Sequence, residues 1–214
     1  MDITLSREPD GLFLCSGQMK MRGDFSDMVS RIKPANLGRE LLVRAAKGKK
    51  AAGGRLVIDA TAGMGEDSLL LAAAGFNVLL FEQDPVIGAL LEDALIRAAQ
   101  NPDLEDIVHR MELKKEDSIP FLLNTEIQPS VIYLDPMFPE RSKSSLVKKK
   151  FQLIHELQKP CMNEEALLSA AIKAEPEKII IKRPLRAPYL AGQKPDYSLT
   201  GKTIRYDCIL YNNQ

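Results

Sequence analysis

Tryptophan is missing from the 214 residues, histidine occurs twice and cysteine three times. Cys15, Cys161 and Cys208 stand far apart, in odd number and without metal spacing. That argues against a disulfide framework and a zinc site, and fits reduced thiols buried as small hydrophobes. His109 and His155 lack both zinc-like spacing and a neighbouring nucleophile motif, so no metal is expected. Neither G-x-S-x-G nor a Walker loop is present. No apolar run approaches the roughly 18 residues of a spanning helix, so no membrane role is expected. The opening MDITLSREPD has no basic-then-apolar pattern, which makes export unexpected and a cytoplasmic location the expectation. Acidic and basic residues number 29 each, so net charge is zero and no global basicity announces a nucleic-acid partner. Any such partner must be met by a local patch.

What is present is an ordinary globular balance, 45% apolar and 27% charged, in a chain long enough to bury one core. Residues 2–15 predict a hairpin turning at Pro9-Asp10-Gly11. Residues 16–34 are polar and irregular in pattern, with Lys20, Arg22, Arg31 and Lys33. A helix is predicted from near Asn36 through Leu41, Leu42 and Ala45 to a stop at Gly48. From residue 55 short apolar runs alternate with helical patterns. The runs are 56–60, 77–82, 110–114, 130–135 and 177–183. Predicted helices lie at 66–74, 85–99, 117–123, 144–157 and 163–174, the second opening on Pro85 behind a capping Asp84. A last strand, 203–211, follows a loop rich in Pro and Gly. Near-continuous apolar strands separated by helices predict a doubly wound, mostly parallel α/β sheet covered on both faces. Residues 1–48 form its small N-terminal extension and 49–214 its main domain.

In such a sheet ligands bind beyond the carboxyl ends of the strands. The first of these ends carries Asp59-Ala60-Thr61-Ala62-Gly63-Met64-Gly65-Glu66-Asp67. Gly63 and Gly65 allow close backbone approach, although a lone G-x-G is weak and lacks the third glycine of a dinucleotide site. Glu66 and Asp67 would repel a pyrophosphate at the helix start, yet suit the helix dipole or a cationic ligand. Asp59 is placed to meet an ammonium; S-adenosylmethionine carries an ammonium and a sulfonium. On this loop alone, turn formation and cofactor binding weigh equally. Glu82, with Gln83, ends the second strand where ribose hydroxyls would be held, whichever adenosine cofactor binds. Asp117-Ser118 offers a helix cap that also reaches an adenine amine.

The fourth strand ends in Asp135-Pro136-Met137-Phe138. A carboxylate at Asp135 and the carbonyl of Pro136 can accept the two hydrogens of an exocyclic amine. Phe138 can stack a base, typically worth about 1–3 kcal/mol. This set of three is the candidate catalytic centre, and it needs no metal. Arg141 and Lys143 follow directly and could grip phosphates beside an extruded base, as could Lys182 and Arg183 at the end of the fifth strand. Solvated lysines and a strand-end charge pair are the plainer readings of the same residues.

Asp-Pro-Met-Phe resembles the Asn/Asp-Pro-Pro-Tyr/Phe motif of amino methyltransferases, with Met137 in place of the second proline. DATAGMGED, LLFEQDP, VIYLDPMFP followed by KSSLVKK, and IIIKRP with APYLAG resemble the bacterial family called ribosomal RNA small subunit methyltransferase J. The likeness covers about residues 25–210. It implies a Rossmann-like class I methyltransferase fold, S-adenosylmethionine as cofactor, and transfer to a guanine N2 in 16S ribosomal RNA, either naked or in the assembled small subunit. It also implies cofactor contacts at Glu66-Asp67, Glu82-Gln83, Asp117-Ser118 and Asp135. At Glu66, Gln83 and Asp117 this sequence departs from the family's side chains, and the N-terminal hairpin is shorter than the family leads one to expect. The residues alone leave rivals open. One set keeps the chemistry on DNA, a protein glutamine or a small aromatic amine. The other is a nicotinamide-dependent oxidoreductase or a non-catalytic nucleotide-binding module.

Overall fold

The computed structural model describes residues 3–48, 52–136 and 163–211. Side-chain alternation along the strands decides the layering. The central strands are β4 (Leu56–Asp59), β5 (Asn77–Phe81), β7 (Val131–Leu134) and β8 (Lys178–Pro184). Val57, Val78, Leu80, Val131, Tyr133 and Ile180 point to one face. They pack there on helices α3 (Leu41–Lys47), α4 (Glu66–Ala73) and α5 (Pro85–Ala98). Ile58, Leu79, Phe81, Ile132, Leu134, Ile179 and Ile181 point to the other face. Those meet α7 (Ser118–Asn124) and α8 (Glu164–Lys173). Two apolar layers thus share one sheet, which is why its strands read as unbroken hydrophobic runs.

With β6 (Met111–Lys114), β9 (Tyr197–Thr200) and β10 (Ile204–Leu210), the order of the described strands is β6-β5-β4-β7-β8-β10-β9. The first five run parallel, whereas β10 is antiparallel to both its neighbours. The chain winds outward from β4 to β6, then returns to the other side of β4, so the switch point lies between β4 and β7.

The N-terminal part is a second, three-stranded antiparallel sheet of β1 (Thr4–Glu8), β2 (Gly11–Ser16) and β3 (Met19–Met21). Leu12, Leu14 and Met21 seat it on Ile87 and Leu90 of α5. Residues 16–34 are therefore ordered rather than irregular. Beyond β3 come a 3-10 turn at Ser26–Met28 and helix α1 (Val29–Ile32), with Met21, Phe25, Met28 and Ile32 buried in the apolar clusters although the residues between them in sequence are mostly polar. The helix expected from Asn36 to Gly48 is broken in two. Helix α2 (Pro34–Leu37) ends at Gly38, and α3 restarts after Glu40, whose backbone is extended. Short α6 (Glu105–Val108) and strand β9 were also unforeseen. β9 is a mostly exposed edge strand and has no apolar run to reveal it. Cys208 is buried and Cys15 half-buried, both as free thiols, while Cys161 and the expected helix 144–157 lie outside the described residues.

Candidate functional site

Asp59 ends β4 with its side chain only 1% exposed. Ser68 Oγ donates to Asp59 Oδ2 at 2.5 Å and the Thr61 N–H donates to Oδ1 at 3.1 Å. Burial pushes the Asp59 carboxyl up to about 7; these two bonds oppose it, and the nearby charges of Asp67 and Asp135 add to it. Gly63 and Gly65 both take left-handed φ, +55° and +76°. A Cβ at Gly65 would lie 2.7 Å from Leu91 Cδ1 and 3.3 Å from the Phe25 ring, so the loop needs glycine for space as well as for conformation.

Glu82, just beyond β5, ties this loop down. Its Oε2 accepts the Gly63 N–H at 2.9 Å and its Oε1 accepts the Asp84 N–H at 2.8 Å. Burial raises the Glu82 carboxyl despite these bonds. Each oxygen keeps a lone pair in hand, so the same side chain that holds the loop can accept from a sugar hydroxyl. Gln83 is exposed and Glu66 half-buried in the first turn of α4. Asp117 is an exposed N-cap of α7, accepting the Ile119 N–H at 2.9 Å, and Ser118 behind it is buried.

Across the switch point, the Asp135 N–H donates to Thr61 Oγ1 at 2.6 Å, and Pro136 is buried. Lys182 Nζ lies 2.7 Å from Asp67 Oδ2 and 3.0 Å from Asp135 Oδ2. Tyr133 O–H donates to the same Asp67 oxygen at 2.6 Å, and burial followed by the charges of Asp67 and Asp135 raises that phenol well above its usual range. Asp59, Asp67 and Asp135 thus converge from β4, α4 and the end of β7.

Two expectations are corrected here. Lys182 does not reach outward for a phosphate, because its ammonium is engaged by two site carboxylates. Arg183 is 1% exposed, with its Nη1 3.0 Å from Glu164 Oε1 of α8 and its Nε donating to the Pro188 carbonyl. The reason is the two-residue period of a strand. Consecutive residues of β8 point to opposite faces, so Lys182 joins the α4 side and Arg183 is buried against α8. Met137, Phe138, Arg141 and Lys143 lie outside the described residues.

The sequence reading passed over Tyr133, Thr61 and Ser68. Tyr133 carried a signal, since it precedes Asp135 by two residues and so shares its face. Thr61 and Ser68 had none beyond lying in and just after the glycine loop. Arg31, whose guanidinium holds Glu40 at 2.9 Å, also feels the charges of Asp67 and Glu66.

Among the described residues, three buried or half-buried carboxylates gather around the Lys182 ammonium, which favours a ligand that brings positive charge, beside a turn that admits close backbone approach. S-adenosylmethionine fits that donor set: Asp59 and Asp67 are suited to its cationic end and Glu82 to its ribose. No group of three or more metal-ligating side chains occurs among the described residues, and no helix among them is long and apolar enough to cross a membrane.

Strand order, glycine turn and acidic strand ends define the class I S-adenosylmethionine-dependent methyltransferase fold. A crystal structure of an S-adenosylmethionine-dependent methyltransferase from Neisseria gonorrhoeae superposes with a TM-score of 0.77, covering 98% of this chain and 83% of that one at 32% identity. A family profile described as "Putative SAM-dependent methyltransferase" matches residues 12–211, and the chain belongs to that family. Curated relatives bear the name that the motifs resemble. "Ribosomal RNA small subunit methyltransferase J" of Pseudomonas fluorescens is 48% identical over 152 residues, 71% of this chain and 58% of that protein. The protein of the same name from Nitrosococcus oceani is 45% identical over 156 residues, 72% and 61% respectively. The chain spans less than two thirds of the length of these relatives.

Proposed function

We propose that the chain transfers a methyl group from S-adenosylmethionine to the exocyclic N2 of a guanosine in 16S ribosomal RNA, as free RNA or within the small subunit. The observation that carries this reading is Asp135-Pro136 at the switch point, facing the glycine loop across one crevice. The names of the curated relatives support the choice of RNA. A cytoplasmic location goes with such a substrate.

When bound, the cofactor supplies an electrophilic methyl on a sulfonium. The chain's own part is to make a poor nucleophile available. Asp135 and the Pro136 carbonyl each accept one N–H of the amine, which turns its lone pair out of conjugation and fixes its direction. Transfer of the methyl from sulfur to nitrogen would leave positive charge on the amine nitrogen. The Asp135 carboxylate stabilises that charge and stands ready to take the surplus proton. We assign Asp59, Glu66, Asp67, Glu82, Gln83, Asp117 and Ser118, with the Gly63–Gly65 turn, to the cofactor. Phe138 is assigned to base stacking, and Arg141 and Lys143 to RNA phosphates.

The test is labelled methyl transfer to naked 16S RNA, assembled small subunits and DNA. Asp135→Ala should lower transfer by about two orders of magnitude or more, with an unchanged melting temperature. Label recovered in DNA or protein and absent from guanosine N2 would overturn the assignment. So would calorimetry in which NAD binds and S-adenosylmethionine does not.

A further inference from the structure

Lys182 sits between two carboxylates that arrive from different elements. Asp67, on α4, is anchored by the Tyr133 hydroxyl; Asp135 is anchored through its own backbone N–H on Thr61. The pairing of β7 with β8 runs from Val131 beside Lys178 to Leu134 beside Ile181, and one further step along the same register sets Asp135 beside Lys182. The Lys182 side chain is 24% exposed. Burial on its own would drive its titration down, but the charges of Asp67 and Asp135 more than reverse this, so the net direction is up. The titratable and charged groups that face this point come from several sides. They are Asp59 of β4, Asp67 of α4, Tyr133 and Asp135 at the end of β7, and Tyr206 of β10, with Arg31 of α1 and Glu40 behind them.

We propose that Lys182 is a positioning residue for methyl transfer: its ammonium clamps Asp135 to the Asp67–Tyr133 pair and keeps Asp135 ionised and aimed at the acceptor amine. This rests on the methyl-transfer reading above. A compact ammonium with three donors can span two carboxylates from different elements, and the role it plays here is that of a positive charge. It also offsets the repulsion among three carboxylates in a partly desolvated crevice. Without it, the charge of Asp67 would favour the protonated form of Asp135. A protonated Asp135 would lose the acceptor charge on which orientation of the amine depends.

The experiment uses the full chain as wild type, Lys182→Met and Lys182→Arg. Methionine keeps the apolar stem and removes the charge; arginine restores the charge. The first readout needs no catalysis: carboxyl-13C titration of the aspartates in the free protein. Asp135 should titrate roughly one to three pH units higher in Lys182→Met than in wild type, and return in Lys182→Arg. The second is methyl transfer to 16S RNA between about pH 5.5 and 9. Removing a neighbouring cation makes a carboxylate ionise at higher pH, so the acidic limb of kcat should move up in Lys182→Met. The loss should be at most a few-fold near pH 6.5, grow to about tenfold or more toward pH 5.5 and vanish as pH rises, with KM for RNA within about threefold and Lys182→Arg rescuing the profile. An Asp135 titration identical in all three proteins would overturn the proposal. So would a rate loss equal at every pH and shared by Lys182→Arg, which is the mark of a packing role alone. If wild type methylates no RNA while the titration coupling is present, the function reading fails and the clamp stands. If wild type methylates RNA and the coupling is absent, only the clamp fails.

Discussion

Asp59 is the residue whose ionisation should be felt most widely. Its carboxyl titrates near 7 in the fold against an ordinary value of 3.8. The folded chain therefore holds that proton longer than the unfolded chain does, and stability falls as pH rises from about 4 to about 7, then levels. Asp59→Asn should abolish this fall, a difference on the order of a few kcal/mol between urea denaturation at pH 5 and at pH 8. Ligand binding has the opposite sign. A cationic ligand favours the ionised carboxylate, so S-adenosylmethionine should bind more tightly as pH rises through about 7 and release a proton below it. Calorimetry in buffers of different ionisation enthalpy measures that proton directly. The acidic strand ends themselves were legible in the sequence, because a parallel sheet puts Asp59, Glu82, Asp117 and Asp135 on one edge whatever its detailed pairing. The different fates of Lys182 and Arg183 were not. Which of two adjacent residues faces the crevice depends on the pleat and register of β8, and nothing local to the pair reveals those.

At the scale of elements, the turn between β5 and α5 does two jobs through Glu82 and Asp84, which flank Gln83. Asp84 caps α5 by accepting the Val86 and Ile87 N–H groups at 2.8 and 3.0 Å, while its own N–H goes to Glu82. Asp84→Ala should cost about 1 kcal/mol in chemical denaturation. It should leave cofactor affinity largely in place, because the donor to Glu82 is backbone. Gly65→Ala should do more damage to binding. It forces a side chain into a left-handed turn and against Leu91, so the loop must shift, and cofactor affinity should fall at least about tenfold by calorimetry. The strands from β4 to β8 were visible from their apolar runs, as was the capped start of α5 at Asp84-Pro85. The break between α2 and α3 was missed because Gly38-Arg39-Glu40 interrupts an apolar pattern that continues on both sides. β9 was missed because an exposed edge strand needs no hydrophobic run.

For the molecule as a whole, zero net charge means that no long-range field should draw it to RNA. If the substrate is RNA, as proposed, recognition would rest on local phosphate contacts. The logarithm of RNA affinity should fall against log salt with a slope of roughly −0.7 to −0.9 per contact. Replacing Arg141 and Lys143 together by glutamine should make that slope shallower by about two contacts' worth, in filter binding across a salt series.

The N-terminal sheet bears on this economy too. Phe25, buried at the end of that arm, lies beside the spot where Gly65 lacks a side chain, and a Cβ at Gly23 would run into Met64. The arm is therefore the back wall of the glycine loop. Opening the arm would loosen the loop, so a ligand seated on the loop must slow the arm's local unfolding. Amide hydrogen exchange at Leu14 and Met21, which pair across β2 and β3, should slow on cofactor binding by about the factor of one plus ligand concentration over Kd. Protection would thus be recorded in a sheet remote in sequence from the loop that holds the ligand.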